Sequence, residues 1–224
     1  MKRNRDTGLS EKNLRFFHYL CRLFVCMEEM IPAIERHPLE PFLPQGAKIL
    51  LLGSFPPKRE RWSMEFFYPN FINDFWRIMG LIFFGDKEHF IIKDGEKPHF
   101  DKASVERFCT DRGIALYDTA TAVRRLRDNA SDQFLEIVER TDIPSLLARI
   151  PSCRAVVSTG GKSASALCDV LGCEVPPVGG KTRTEVGGRP VNVWRMPSTS
   201  RAYPLAFEKK AGEYRKMFEQ ENLF

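Results

Sequence analysis

At 224 residues, 43% hydrophobic and 28% charged, the chain has the composition of a soluble globular protein with one sizeable core. No apolar run approaches the length of a membrane-spanning helix. The net charge of +5 is no argument for nucleic acid by itself, because residues 1 to 26 hold six basic side chains against two acidic ones and leave the remainder close to neutral.

In chain order, those first 26 residues are basic and aromatic. His18 and Arg22 interrupt the apolar stretch and no small-residue cleavage site follows, so a signal peptide is not expected. Leu14, Phe17, Leu20, Cys21 and Phe24 have helical spacing. They fit a peripheral helix or, preferred here, an extension upstream of a single domain spanning 27–224. A Pro-rich lead-in then turns at Gly46 into a buried strand over 48–53. Residues 73–83 read as a helix, and a second helix over 101–111 precedes the strand "GIALYDTA" (113–120). Helices are expected over 131–139 and over 143–150, the latter opened by Pro144 behind Asp142. "CRAVVSTG" (153–160) is a third strand leading into a helix over 162–171. "KTRTEVGGRPVNVWRMP" is a hairpin turning at Gly187–Gly188, its second arm a fourth core strand, and a last helix covers 204–219. Strands alternating with helices predict an α/β fold on a four-stranded, mainly parallel sheet covered on both faces.

In such a sheet the strand ends converge on one edge, where ligands bind. Here they read "GSFPP", "YDTATAVRR", "STGGKSA" and "MPSTSRAYP". Each alone is an ordinary capped turn. Together, with the aromatic segment "FFYPNFINDFW" following the first, they predict a pocket. "GGKS" suggests a phosphate-binding P-loop, but the glycine that motif requires five positions before Gly161 is Val156, which argues against a nucleotide triphosphatase. The cysteines (21, 26, 109, 153, 168 and 173) form no C-x-x-C pair and no metal-ligand spacing with histidine. They read as scattered reduced thiols of a cytoplasmic protein, with no metal and no cofactor expected.

The ordered set "LLGSFP", "NDFW" (73–76), "ALYDTATAVRR", "DNASD" (128–132) and "MPSTS" (196–200) resembles the uracil-DNA glycosylase superfamily. The likeness is greatest to the branch with the mismatch-specific uracil and the DNA-deoxyinosine (hypoxanthine-DNA) glycosylases, and it extends over about residues 37–218. The resemblance implies a three-layer α/β/α sandwich and hydrolysis of the N-glycosidic bond of a deaminated base flipped out of DNA. DNA is then the partner, with no membrane and no nucleotide cofactor. The pattern departs at two places. Where many relatives carry Asn or Asp in the first loop this chain has Phe55, and where several carry histidine in the last loop it has Met196.

That chemistry asks for a positioned water, donors to the leaving base and a dry slot for the flipped nucleotide. Backbone N–H groups around Gly53, Ser54 and Phe55, ahead of Pro56, face the expected base oxygens; Phe55 or Tyr68 can stack on the ring, and core packing is the plain alternative for each. Asp118 stands where relatives often place Asn. As an acceptor-only carboxylate it takes a hydrogen bond from N3–H of uracil or N1–H of hypoxanthine and repels the lone pair of cytosine N3 or adenine N1. Asn73, with Asp74 as second choice, is the candidate to orient water, against a helix-capping alternative. Pro197, Ser198, Thr199 and Ser200 suit a phosphate grip. Arg201, Tyr203 or Leu205 is the candidate wedge. Lys58, Arg59, Arg61, Arg124 and Arg125 are candidate phosphate contacts, and Lys162 is the lysine placed nearest the pocket.

Overall fold

The stretches ILLLG, IALYD and AVVST are buried along their whole length, which requires both faces of their sheet to be covered. The computed structural model describes residues 32–126 and 134–224. The basic N-terminal segment and the "DNASD" motif lie outside the described residues. The elements are β1 (Ile34–Arg36), β2 (Ile49–Gly53), α1 (Phe75–Phe84), β3 (Ile91–Ile92), β4 (His99–Phe100), α2 (Lys102–Arg112), β5 (Ile114–Asp118), β6 (Ala120–Arg125), β7 (Leu135–Arg140), α3 (Ile143–Arg149), β8 (Ala155–Thr159), α4 (Gly161–Leu171), β9 (Gly180–Val186), β10 (Arg189–Met196) and α5 (Phe207–Gln220).

The main sheet runs β5-β2-β8-β10-β9. Its first four strands are mutually parallel, and β9 adds an antiparallel edge through the hairpin at Gly187–Gly188. The α/β/α sandwich expected from the sequence is thus present, with five strands in its central sheet instead of four. The fifth is the first arm of the hairpin, whose KTRTEV alternates exposed and half-buried positions as an edge strand does. Chain order reverses between β2 and β8, so the crevice at their carboxyl ends is a topological switch point.

Helix starts follow local chemistry. Asp101 and Asp142 cap α2 and α3, each carboxylate accepting from the N–H of the serine three residues on at 3.1 Å, and Pro144 sits in the first turn of α3. Gly85, Gly113 and Gly172 end their helices in the left-handed conformation.

A second, antiparallel sheet, β1-β6-β7, departs from the sequence reading twice. The stretch after Asp118 is not a strand end. It turns at Thr119 and continues as β6, with Thr141 Oγ1 donating to the Asp118 carbonyl at 2.6 Å to hold the corner. The helix expected over 131–139 is instead strand β7 from Leu135 onward, paired with β6. Leu135 and Ile137 turn inward onto Ala120, Val123 and Phe55, forming a small separate core. Pairing with β6 overrides the helix-favouring composition of LEIVER.

Candidate active site

The carboxyl ends of β2, β5, β8 and β10 open into one cavity of about 680 Å³, enough for a purine nucleotide. Strand register builds its floor. Gly53 pairs with Asp118 across β2 and β5, and a Cβ on Gly53 would stand 2.3 Å from Asp118 Oδ1 and 3.6 Å from the Tyr68 hydroxyl. Glycine is therefore required at this strand end by close approach of a carboxylate. Tyr68 adopts a left-handed backbone (φ 51°), uncommon for a residue with a side chain. Its ring stacks on Phe75 at 3.8 Å and its hydroxyl meets Thr159 Oγ1 at 2.8 Å, bringing the end of β8 into the same floor.

Asp118 is held from behind. His37, one residue beyond β1, places Nε2 2.9 Å from Asp118 Oδ2, with side-chain exposures of 2% and 10%. The imidazole lies among Tyr117, Phe55 and Phe67 and is anchored to the second sheet by its backbone N–H, which donates to Thr121 O at 2.8 Å. Burial, and then the Asp118 carboxylate, push the Tyr117 phenol up to about 12. Nothing in the local sequence marks His37: it lies 81 positions from Asp118, in a Pro-rich lead-in.

The first loop, Ser54–Phe55–Pro56, lines the cavity as expected. Phe55 is at once a cavity wall and a member of the small core. Arg125, expected on a phosphate, lines the same cavity with its guanidinium engaged elsewhere. It forms a two-pronged pair with Glu35 (3.0 and 2.9 Å) and donates to the Pro56 carbonyl at 3.2 Å, tying two strands of the second sheet to the loop. Of the other basic candidates, Arg59 and Arg124 pair with Glu65 and Glu136. Lys58 does not line the cavity, whereas Arg61 lies exposed on it.

The opposite lip is the segment after β10. Ser198, Thr199, Ser200, Arg201 and Tyr203 all line the cavity. The loop is wound by its own hydroxyls: Ser200 N–H donates to Ser198 Oγ and Ala202 N–H to Ser200 Oγ, both at 3.2 Å. Pro197 does not reach the cavity; its carbonyl accepts from the Tyr214 hydroxyl at 3.0 Å. Leu205 also lies off it.

Asn73 lines the cavity too, and its Oδ1 accepts from the Phe75 N–H at 2.9 Å, which fixes the amide plane and leaves Nδ2 uncommitted by that bond. Asp74 requires a correction. Its carboxylate is buried, does not line the cavity, and pairs with Arg201 Nε and Lys210 Nζ, each at 3.1 Å. Lys210, itself buried, also donates to Ser200 O at 2.7 Å. Asp74 thus staples α1, α5 and the lip together and has no face toward a water. Lys162 is a second correction: it does not line the cavity, and its amine donates to the Leu135 carbonyl. The sequence reading also assigned no role to Asn70, Ile72 and Thr159, which line the cavity, or to His37, which lies behind it. Ile72 is 54% exposed, an apolar side chain at the cavity's edge. The four described cysteines are free thiols, and burial raises Cys109 and Cys153 well above the ordinary thiol range. Among the described residues no cluster of metal-ligating side chains is found, and no helix is long and apolar enough to cross a membrane.

No family model matches the sequence, and no curated protein matches it. Solved structures do. A solution NMR structure from Methanosarcina acetivorans, described as a "putative Uracil DNA glycosylase", is 21% identical, with a TM-score of 0.56 over 85% of this chain and 99% of that one. The two share a fold.

Proposed function

We propose that this chain is a DNA glycosylase that hydrolyses the N-glycosidic bond of a deaminated base, uracil or hypoxanthine, flipped out of DNA. The observation that carries the reading is the Asp118 carboxylate, packed against a glycine strand end and facing a cavity with an aromatic floor and a hydroxyl-rich lip. An ionised carboxylate there accepts from the imide-type N–H that deamination creates in both ring sizes. The cavity volume admits either. The motif resemblance and the fold shared with a protein described as a putative uracil DNA glycosylase point the same way.

In this reading the lip from Ser198 to Arg201 grips the phosphates on either side of the extruded nucleotide. The base slides between Tyr68 and the first loop, where backbone N–H groups meet the charge that develops on the leaving ring. Asn73 donates from Nδ2 to the attacking water and fixes its position, while the sugar's own cationic character supplies the drive. In this reading no Schiff base forms and the enzyme is monofunctional; that no lysine among the described residues lines the cavity supports it. The test is release of free base from duplexes carrying uracil, hypoxanthine, xanthine or mismatched thymine, with borohydride trapping alongside. Release from the uracil or hypoxanthine duplex without a trapped adduct is expected. A second reading, a damaged-base binder without catalysis, is favoured by the absence of an ionisable side chain in the first loop. Tight lesion-specific binding with no release from any duplex would establish it instead.

A further inference from the structure

We infer that His37 is a positioning residue that sets base specificity by holding Asp118 as an acceptor. The inference rests on the deaminated-base reading of the cavity and names how the discrimination is enforced. Asp118 has two oxygens in different surroundings. Oδ2 meets His37 Nε2 at 2.9 Å, and Oδ1 lies against the backbone of Gly53 at the cavity floor. A carboxyl that can rotate, or share a proton between its oxygens, reads either pattern on a base edge. A carboxylate whose Oδ2 is engaged by a ring N–H presents Oδ1 as a fixed acceptor.

The imidazole is built for that task. Leu39 offers Nδ1 both a carbonyl at 2.8 Å and an N–H at 3.2 Å. A neutral ring that accepts from the N–H carries its proton on Nε2, toward the carboxylate, and a ring that donates to the carbonyl has an Nε2–H only as the imidazolium. Three aromatic rings within 6.2 Å surround the imidazole, whose side chain is almost fully buried. The other oxygen contacts of this corner serve the backbone: Thr141 Oγ1 donates to the Asp118 carbonyl, not to its side chain. Without His37 the carboxyl would keep its burial and lose this donor. A carboxyl without that donor is free to turn, and neither oxygen is then held as an acceptor against the lone pair of cytosine N3 or adenine N1.

Binding of the free bases reports on this without requiring catalysis. Ligand-observed NMR competition is run with uracil, hypoxanthine, cytosine and adenine on the wild type, His37→Gln and His37→Phe. The wild type is expected to favour uracil and hypoxanthine at least about tenfold over cytosine and adenine, the scale of one hydrogen bond to a charged group. His37→Gln, whose amide N–H replaces Nε2–H, retains that preference, and His37→Phe, which suits the aromatic surroundings, loses it. Retention in His37→Phe, loss in His37→Gln, or no preference in the wild type overturns the inference. Should His37→Phe not fold, ¹⁵N-histidine NMR of the wild type decides: a protonated Nε2 supports the inference and a bare Nε2 overturns it. If the wild type discriminates free bases as expected yet releases none from DNA, the glycosylase reading fails and His37's role stands.

Discussion

At the scale of single residues, the site depends on where hydrogen-bond donors and acceptors are fixed. Replacing Asp118 with Asn leaves the His37 N–H to pair with the amide oxygen, which turns the NH₂ group toward the base. Asp118→Asn is therefore expected to narrow the preference for uracil and hypoxanthine over cytosine and adenine by at least about tenfold, measured as relative single-turnover release on matched duplexes. An unchanged profile would remove Asp118 from base reading. Asn73 carries two functions on one amide, a bond to the Phe75 N–H and the proposed contact to water. Losing the first costs about 1 kcal/mol of stability, whereas losing the second costs at least about a hundredfold in base release. Asn73→Ala should thus melt slightly lower, bind DNA as before and release base at least a hundredfold more slowly; near-normal release would place the water elsewhere. The acceptor at the end of the second strand and the amide before "DFW" were both legible in the sequence, because residue type and motif order pointed to them. The partner of Asp118 was not, since no local pattern ties His37 to a position 81 residues away.

At the scale of elements, the two sheets divide the labour. The parallel strands supply the floor, and β1-β6-β7 braces it, with Arg125 reaching from β6 to Glu35 and to the Pro56 carbonyl. The parallel strands and most helices could be read from apolar runs, caps and glycines. The brace could not: LEIVER is good helix composition, and only pairing with β6 makes it a strand. The lip has its own brace in Asp74, between buried Lys210 and half-exposed Arg201. Asp74→Asn leaves a buried ammonium with neutral acceptors alone, the Ser200 carbonyl and an amide oxygen, and no counter-charge, a loss of about 3 kcal/mol from the Lys210 side, and adds little from the Arg201 side, which water screens. The expected result is a midpoint lower by about 10 °C in thermal unfolding. A midpoint within a degree of wild type would show the staple to be dispensable. Reduced base release in this variant reflects a loosened lip and says nothing about water activation.

At the scale of the molecule, the near-neutral charge of residues beyond 26 means that the proposed DNA binding has to be local, concentrated at the cavity mouth. Arg61 is the cation there whose role is simplest to isolate, exposed and lining the cavity. Arg61→Ala is expected to weaken duplex binding for lesion and undamaged sequences alike and to lower the slope of log K against log salt by about 1. A change confined to lesion duplexes would instead make Arg61 a base reader. The convergence of strand ends on one edge was legible because fold topology dictates it. Their exact contents were not, because the segments "FFYPNFINDFW" and "STGGKSA" do not say which side chains turn inward: Asn70 and Ile72 reach the cavity from the loop before α1, and Thr159 from the last residue of β8.

The parallel strands are also laid down in an order that matters for how the chain comes into being. β10 is late in the sequence yet sits inside the sheet, between β8 and β9. A nascent or proteolytically shortened chain that stops after α4 already holds the carboxylate, the tyrosine floor and the first loop, but it has no lip. It also bares the full edge of β8, whose AVVST is apolar and uncharged, an edge of the kind that invites strand addition from another molecule. Incomplete chains are consequently expected to be both inactive and prone to self-association, and competence to bind a base arrives together with protection from aggregation, in the same step that docks β10.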